Sequence, residues 1–262
     1  MRARKRFGQH FLEPAWVDKL IRQMAPKPDD TYLEIGPGRG ALTRALAPHV
    51  RRIVAVEIDR DLVAELQAQL PPNVRVVSGD VLQVDLDHIL KNEPLPLRVV
   101  GNLPYNISSP ILFRLLQYAD GGRRLLDATL MLQREVADRF TAPVGSAAYG
   151  VLTLQVRRVA DVERVLTLPP GAFRPPPKVT SAVVRLRFHP PMVDVGNPEA
   201  FERIVRGIFL QRRKTVLNAF SPVASSFGRS AAQVIESAQV DPTKRPQMLT
   251  LEEIARLSRA VL

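Results

Sequence analysis

The four residues Asn102-Leu103-Pro104-Tyr105 carry the most specific chemistry in the chain. The carboxamide oxygen of Asn102 and the main-chain carbonyl of Leu103 offer two acceptors for the two hydrogens of an amino group. Pro104 sets the turn and brings no N–H to compete for those acceptors. Tyr105 provides a flat ring on which a heteroaromatic base stacks. An amino group conjugated to such a base is a poor nucleophile, because its lone pair is delocalised into the ring. Holding both hydrogens biases the nitrogen toward tetrahedral geometry and aims its lone pair at an electrophile, so catalysis becomes positioning and polarisation. The plainer reading of the same residues is a proline turn with a packed tyrosine. A second aromatic, Phe173, opens the loop Phe173-Arg-Pro-Pro-Pro-Lys178, which three prolines stiffen. Phe173 is a candidate for the opposite face of the base, and packing within the loop is the equal alternative. Arg174 and Lys178 are candidates for phosphate contacts or for a solvated surface.

A second group of residues suits a nucleoside-bearing cofactor. Gly36-Pro37-Gly38-Arg39-Gly40 follows the apolar run 31–35 and precedes a helical pattern. Glycines at that point let the backbone approach a ligand closely. Glu57 ends the next apolar run, 21 residues after Gly36, where a carboxylate can accept from both hydroxyls of a ribose. Asp80 follows 23 residues later and Asn102 another 22 residues on. Polar residues at the carboxyl ends of successive parallel strands face one crevice. With Ala41 the loop also satisfies the nicotinamide pattern GxGxx(G/A). Glu34 ahead of the glycines gives ExGxGxG, which is typical of S-adenosylmethionine-dependent methyltransferases. Asn102–Tyr105 resembles the [DNS]-P-P-[YFW] motif of enzymes that methylate exocyclic amino groups of nucleobases. Together these favour S-adenosylmethionine over a nicotinamide.

The elements that must position these residues read as an α/β domain. Apolar runs at 31–35, 53–58, 74–78, 97–101 and 128–132 predict buried strands, and 41–47, 60–70 and 109–118 predict helices between them. That alternation implies a mainly parallel sheet with helices on both faces. Residues 162–168 and 179–188 predict two further strands joined by a short loop, which favours antiparallel pairing. The turn-rich stretch 189–200 separates a first domain, 1–189, from a small helical one, 190–262. In the latter, Phe201, Ile204, Val205, Ile208 and Phe209 fall at helical spacing, and Thr250 and Glu253 fit a capping box.

The charge points to the partner. Against 26 acidic residues stand 37 basic ones, a net +11. That excess implies a polyanion, most simply nucleic acid. Candidate phosphate contacts, besides Arg174 and Lys178, are Arg2, Arg4, Lys5 and Arg6 near the start, and Arg203, Arg206, Arg212, Arg213 and Lys214 in the helical domain. Arg203, Arg206 and Arg213 share one stripe if their helix runs that far. The absence of cysteine excludes disulfides, thiolate-bound zinc, iron–sulfur clusters and a cysteine nucleophile. No apolar run reaches 18 residues, so no transmembrane helix is expected.

The motifs taken together resemble one family, the rRNA adenine N6,N6-dimethyltransferases of the KsgA/RsmA type. The resemblance runs nearly the whole length. It includes RKRFGQHFL (4–12), LEIGPGRGALT (33–43), VEIDRDL (56–62), GDVLQVD (79–85), GNLPYNISSPI (101–111), MLQREVADR (131–139), AYGVLTLQ (148–155), PPGAFRPPPKVTSAVVRL (169–186) and QRRKTVLNAF (211–220). It implies a Rossmann-like S-adenosylmethionine-dependent domain with an antiparallel strand, followed by a small all-helical RNA-contacting domain. It implies that His10 and Leu12 line the cofactor site, and that Gly36, Glu57, Asp80 and Asn102 contact S-adenosylmethionine beside the close-approaching Gly38. Asp80 would lie near the adenine. The implied substrate is a pair of adjacent adenosines in the 3′-terminal hairpin loop of 16S rRNA in the immature small subunit, each receiving two methyl groups. A cytoplasmic monomer without metal or membrane is expected.

Two other functions share these motifs. One is a large-subunit rRNA adenine methyltransferase of the antibiotic-resistance type, against which the leucine of NLPY and the stretch FRPPPKVTSAVVRL speak. The other is a non-catalytic RNA-binding assembly factor, against which the intact glycines, Glu57, Asp80 and NLPY speak.

Overall fold

The computed structural model describes residues 10–122 and 125–262. The candidate phosphate contacts Arg4, Lys5 and Arg6, with Arg2, lie outside the described residues. The chain forms two compact units. One takes the chain up to Ala137 and again Asp161–Phe188; the other takes Asp138–Ala160 and His189–Leu262.

The strands belong to the first unit, apart from the opening residue of β7. They are β1 (Phe11–Leu12), β2 (Thr31–Ile35), β3 (Arg52–Glu57), β4 (Val74–Ser78), β5 (Leu97–Asn102), β6 (Leu125–Gln133), β7 (Ala160–Leu168), β8 (Phe173–Arg174) and β9 (Ser181–Phe188). Seven of them form a sheet in the order β4-β3-β2-β5-β6-β9-β7. Pairings from β4 through β6 are parallel, and β9 lies antiparallel to β6. All five residues of β2 are buried, as a strand covered on both faces requires. Strand order runs outward from β2 to β4 on one side and from β5 to β6 on the other. The point of reversal lies between β2 and β5, where a crevice opens beyond the carboxyl ends. Helices α1 (Pro14–Met24), α2 (Ala41–Leu46), α3 (Arg60–Gln69), α4 (Leu86–Leu90) and α5 (Ser108–Asp120) accompany the sheet. Asp59 caps α3 by accepting from the Asp61 N–H at 3.1 Å. A separate two-stranded piece pairs β1 antiparallel to β8, with Phe11 opposite Arg174 and Leu12 opposite Phe173.

Helix α6 (Arg134–Phe140) leads from β6 into the second unit, which contains α7 (Val151–Val159), α8 (Pro198–Leu210), α9 (Val216–Ser225), α10 (Ala231–Ser237) and α11 (Leu251–Val261). Its core includes Phe201, Ile204, Val205, Ile208 and Phe220, all fully buried. Ala142, Tyr149 and Leu154 belong to the same core, and the Tyr149 hydroxyl donates to the Leu249 carbonyl at 2.8 Å. The contacts therefore differ from a division at 189/190: residues 138–160 pack with the helices, because the apolar side of α7 finds its partners there. The capping box is present, with Glu253 N–H donating to Thr250 Oγ1 at 3.2 Å and Thr250 N–H to Glu253 Oε2 at 2.9 Å. Helix α8 ends at Leu210, so Arg213 leaves the stripe that Arg203 and Arg206 share.

Three arginines close helix ends in this unit. Arg203 donates to Ser226 O at the end of α9 (3.2 Å), Arg256 to Ala238 O at the end of α10 (2.7 Å), and Arg229 to Val261 O at the end of α11 (3.3 Å). The last carbonyls of a helix have no partner inside it, and a cation there also meets the negative end of the dipole. No helix among the described residues is long and apolar enough to cross a membrane.

Candidate active site at the carboxyl ends of the sheet

A cavity of about 300 Å³ sits at the carboxyl ends of β2, β3 and β5. His10, Leu12, Gly36, Gly38, Glu57, Asp80 and the whole of Asn102–Tyr105 line it. Residues expected from five separate stretches thus converge on one space.

The glycine loop is shaped by backbone that only glycine adopts readily. Gly36 and Gly38 have φ of +65° and +57°. A Cβ on Gly38 would stand 3.1 Å from the Phe11 ring, whereas one on Gly36 would meet nothing within 4 Å. The turn brings the Gly38 N–H to Glu57 Oε2 at 3.0 Å, and the Asp59 N–H reaches Oε1 at 3.0 Å. Each carboxylate oxygen keeps a second lone pair. Glu57 is therefore held rigidly with acceptor capacity left for a ligand. Burial raises its pKa, and the N–H groups of Asp59, Gly38 and Ile58 oppose that rise. Asp80 Oδ1 accepts from the Leu82 N–H at 2.9 Å, which fixes the carboxylate at the cavity wall.

Glu34 adds a buried carboxyl. Glu34 is among the residues around the cavity, and its Oε2 is buried without a hydrogen-bond partner. Burial pushes its pKa up to about 7; Thr43 opposes the shift, and the Glu57 charge adds to it. Leaving a buried acceptor unpaired costs about 1–3 kcal/mol. Ile58 and Val81 supply apolar walls, and Ile58 remains 46% exposed despite its bulk. The acceptors of Glu57 and Asp80 and the apolar walls therefore match a ligand with a vicinal diol and a flat base.

At the other end of the cavity, the Asn102 Nδ2–H donates to the His10 carbonyl at 2.6 Å. A carbonyl only accepts, so the amide orientation is settled and Oδ1 remains an acceptor. Leu103 N–H donates to Met131 O at 3.2 Å, and the Ile107 N–H to Pro104 O at 3.1 Å, closing the turn. The Tyr105 hydroxyl lies 2.6 Å from Ser181 Oγ. The His10 ring stacks on Tyr105 with centroids 5.7 Å apart and planes at 23°. His10 Nδ1 lies 2.7 Å from Pro175 O, to which it donates.

Phe173 does not join this site. Its side chain is 1% exposed and packs in the core with Leu20, Met24 and Ala172. The pairing of β8 with β1 turns it inward, so it presents no face to a base. The second ring beside Tyr105 is instead His10. Arg174 is exposed and ion-paired with Glu13 at 2.5 Å, and Lys178 is exposed. Arg212 departs from the expected phosphate contact. It is half-buried, and Nη2 donates to Ala147 O at 3.1 Å and Gln247 Oε1 at 3.0 Å, tying two loops together. Arg213 and Lys214 are exposed. The sequence reading missed Ile58, Val81 and Ser181. The first two directly follow Glu57 and Asp80, a positional signal that could have found them. Among the described residues, no group of three or more His, Asp or Glu side chains could hold a metal ion.

Comparison with known proteins agrees with this constellation. The family model for ribosomal RNA adenine dimethylase matches residues 1–259. A protein of Pseudomonas syringae pv. tomato named ribosomal RNA small subunit methyltransferase A is 44% identical over 264 residues, covering 98% of this chain and 94% of that protein. A protein of the same name from Xylella fastidiosa is 40% identical over 262 residues, covering 98% and 96%. Among solved structures, a dimethyladenosine transferase from Plasmodium falciparum superposes with a TM-score of 0.79 at 26% identity, covering 95% of this chain and 96% of that one. The 23S rRNA methyltransferase ErmE superposes with a TM-score of 0.65 at 27% identity, covering 96% and 99%.

Proposed function

The chain belongs to the ribosomal RNA adenine dimethylase family, and on that premise we propose that it places two methyl groups on N6 of each of two adjacent adenosines in the 3′-terminal hairpin loop of 16S rRNA. It is an S-adenosylmethionine-dependent rRNA adenine dimethyltransferase, and in this reading it acts as a cytoplasmic monomer on the immature small subunit. The carrying observation is the single cavity that joins a glycine-and-carboxylate end to Asn102–Tyr105.

The acceptors of the cavity fit S-adenosylmethionine, which when bound supplies an electrophilic methyl group on a sulfonium sulfur. In this reading the charge of the Glu34 carboxylate attracts the ammonium group. The spare lone pairs of Glu57 accept from the ribose hydroxyls, and Asp80 accepts from the adenine edge between Ile58 and Val81. Asn102 Oδ1, left open by the bond from Nδ2 to His10, accepts one N6 hydrogen of the target base, and the Leu103 carbonyl accepts the other. Tyr105 supports the base by stacking. After the first transfer one N6 hydrogen remains, and one acceptor still orients the nitrogen. The leaving group is a neutral thioether, so no strong general base is needed and the proton is lost to water. The base must be out of a helical stack to enter, as a loop nucleotide can be. Arg174, Lys178, Arg213 and Lys214 contact phosphates.

The test is incubation with labelled S-adenosylmethionine and either unmethylated small subunits or large-subunit RNA, followed by nucleoside analysis. Label in N6,N6-dimethyladenosine from small subunits alone is expected. Label confined to large-subunit RNA would transfer the reading to the function of ErmE.

A further inference from the structure

Tyr105 is held from a strand distant in sequence. Its hydroxyl meets Ser181 Oγ at 2.6 Å, across 76 positions of chain. Ser181 is fully buried and is the first residue of β9, paired opposite Gln133 of β6. Two residues before Gln133, Met131 accepts the Leu103 N–H. The β6–β9 pair therefore fixes both the backbone of the Asn102–Tyr105 turn and the far end of the tyrosine. Burial raises the Tyr105 pKa, so the phenol stays protonated at neutral pH. A hydroxyl committed to Ser181 is turned away from proton transfer with substrate. The phenolic oxygen lies on the long axis of the ring, so what the bond controls is where that axis points, and stacking on a flat base depends on where the ring lies.

We infer that Ser181 is a positioning residue: its hydroxyl anchors the far end of the Tyr105 ring and so holds the ring where the target adenine stacks. This rests on the adenine-methylating function proposed above. Ser181 touches neither substrate nor cofactor in this role and acts only through Tyr105. A purely structural serine would instead satisfy its own buried oxygen, and its loss would lower stability without altering the chemical step.

The experiment uses the full chain and unmethylated small subunits, with Ser181→Ala, Tyr105→Phe and the double variant, and records melting temperature beside kinetics. Each single variant should lower kcat about tenfold, the rate equivalent of one hydrogen bond. KM for S-adenosylmethionine should stay unchanged. The double variant should lose no more than either single one, because both remove the same bond. Losses that multiply in the double variant, or wild-type kcat in Ser181→Ala, overturn the inference. If Ser181→Ala does not fold, Tyr105→Phe decides alone: a tenfold loss of kcat at unchanged KM supports the inference, and wild-type kcat overturns it. A wild-type protein that leaves adenine unmodified overturns the functional reading and this inference together. An active wild type with an unaffected Tyr105→Phe overturns the inference alone.

Discussion

At the sheet rim, Glu57, Asp80 and Asn102 are each gripped by a main-chain group and still face a cavity. In the helical unit, the long cations turn the other way. Arg203, Arg229 and Arg256 close the ends of α9, α11 and α10, Arg206 pairs with Glu202 at 2.7 Å, and Arg212 ties two loops. The difference follows from backbone accounting. A sheet satisfies its own N–H and C=O groups along the ladder, so polar side chains at strand ends remain available for ligands. A cluster of short helices leaves carbonyls unpaired at every C-terminus, and arginines are drawn to them. Similar charge density therefore means different things in the two units. The net charge counts these internal arginines as well as groups that can meet RNA.

Six variants test this difference. Phe173→Ala tests the inward-turned residue of the sheet unit. It should cost about 3–5 kcal/mol of stability, read by denaturant unfolding; normal stability with lost methylation would return Phe173 to the base. Asn102→Ala tests the outward-facing set. Its kcat/KM should fall about 10²–10³-fold, the usual loss for one preorganised polar group, while gel shifts show unchanged RNA affinity. Glu34→Gln probes the unpaired carboxyl. Its folded pKa of about 7 lies above the ordinary 4.5, so between those values the folded state binds more protons than the unfolded one. Stability from this group is then full below about pH 4.5 and is lost as pH rises to about 7. The variant should remove that slope and gain on the order of 2–3 kcal/mol at pH 8, with S-adenosylmethionine bound more weakly. Thermal melts at pH 4.5 and 8 provide the check. Last, Arg212→Ala should lower stability by about 1–2 kcal/mol. Arg213→Ala and Lys214→Ala should stay within about 0.5 kcal/mol, yet each should reduce the salt dependence of RNA binding by about one counterion. A reduced slope in Arg212→Ala with intact stability would erase the contrast.

The same contrast explains what could be read from the residues alone. The strands, the glycine turn and the strand-end residues were legible because each is a local pattern, apolar runs ending in a polar residue at intervals near 22. The fate of Phe173 was not. A phenylalanine in a proline-rich loop reads the same whether it faces solvent or core, and only pairing with β1 turns it inward. Arg212 was equally opaque, since its partners Ala147 and Gln247 lie 65 and 35 positions away. The place of segment 138–160 was equally hidden, because the turn-rich stretch that marks a boundary lies at 189–200, while Ala142, Tyr149 and Leu154 pack with the helices. Ser181 looked like any strand residue, because its function depends on a tyrosine 76 positions earlier.

The pairing of β1 with β8 also bears on the order in which the molecule is made. His10 is bonded to Asn102 and to Pro175, the latter 165 positions away. At a synthesis rate of about 5–20 residues per second, the first residues of the pocket wait roughly 10–30 seconds for their partners to be translated. Through that interval the glycine loop and the NLPY turn can exist with one wall missing. His10 and β1 are thus among the last parts of the pocket to settle, and a nascent chain stalled before residue 173 should lack the closed pocket.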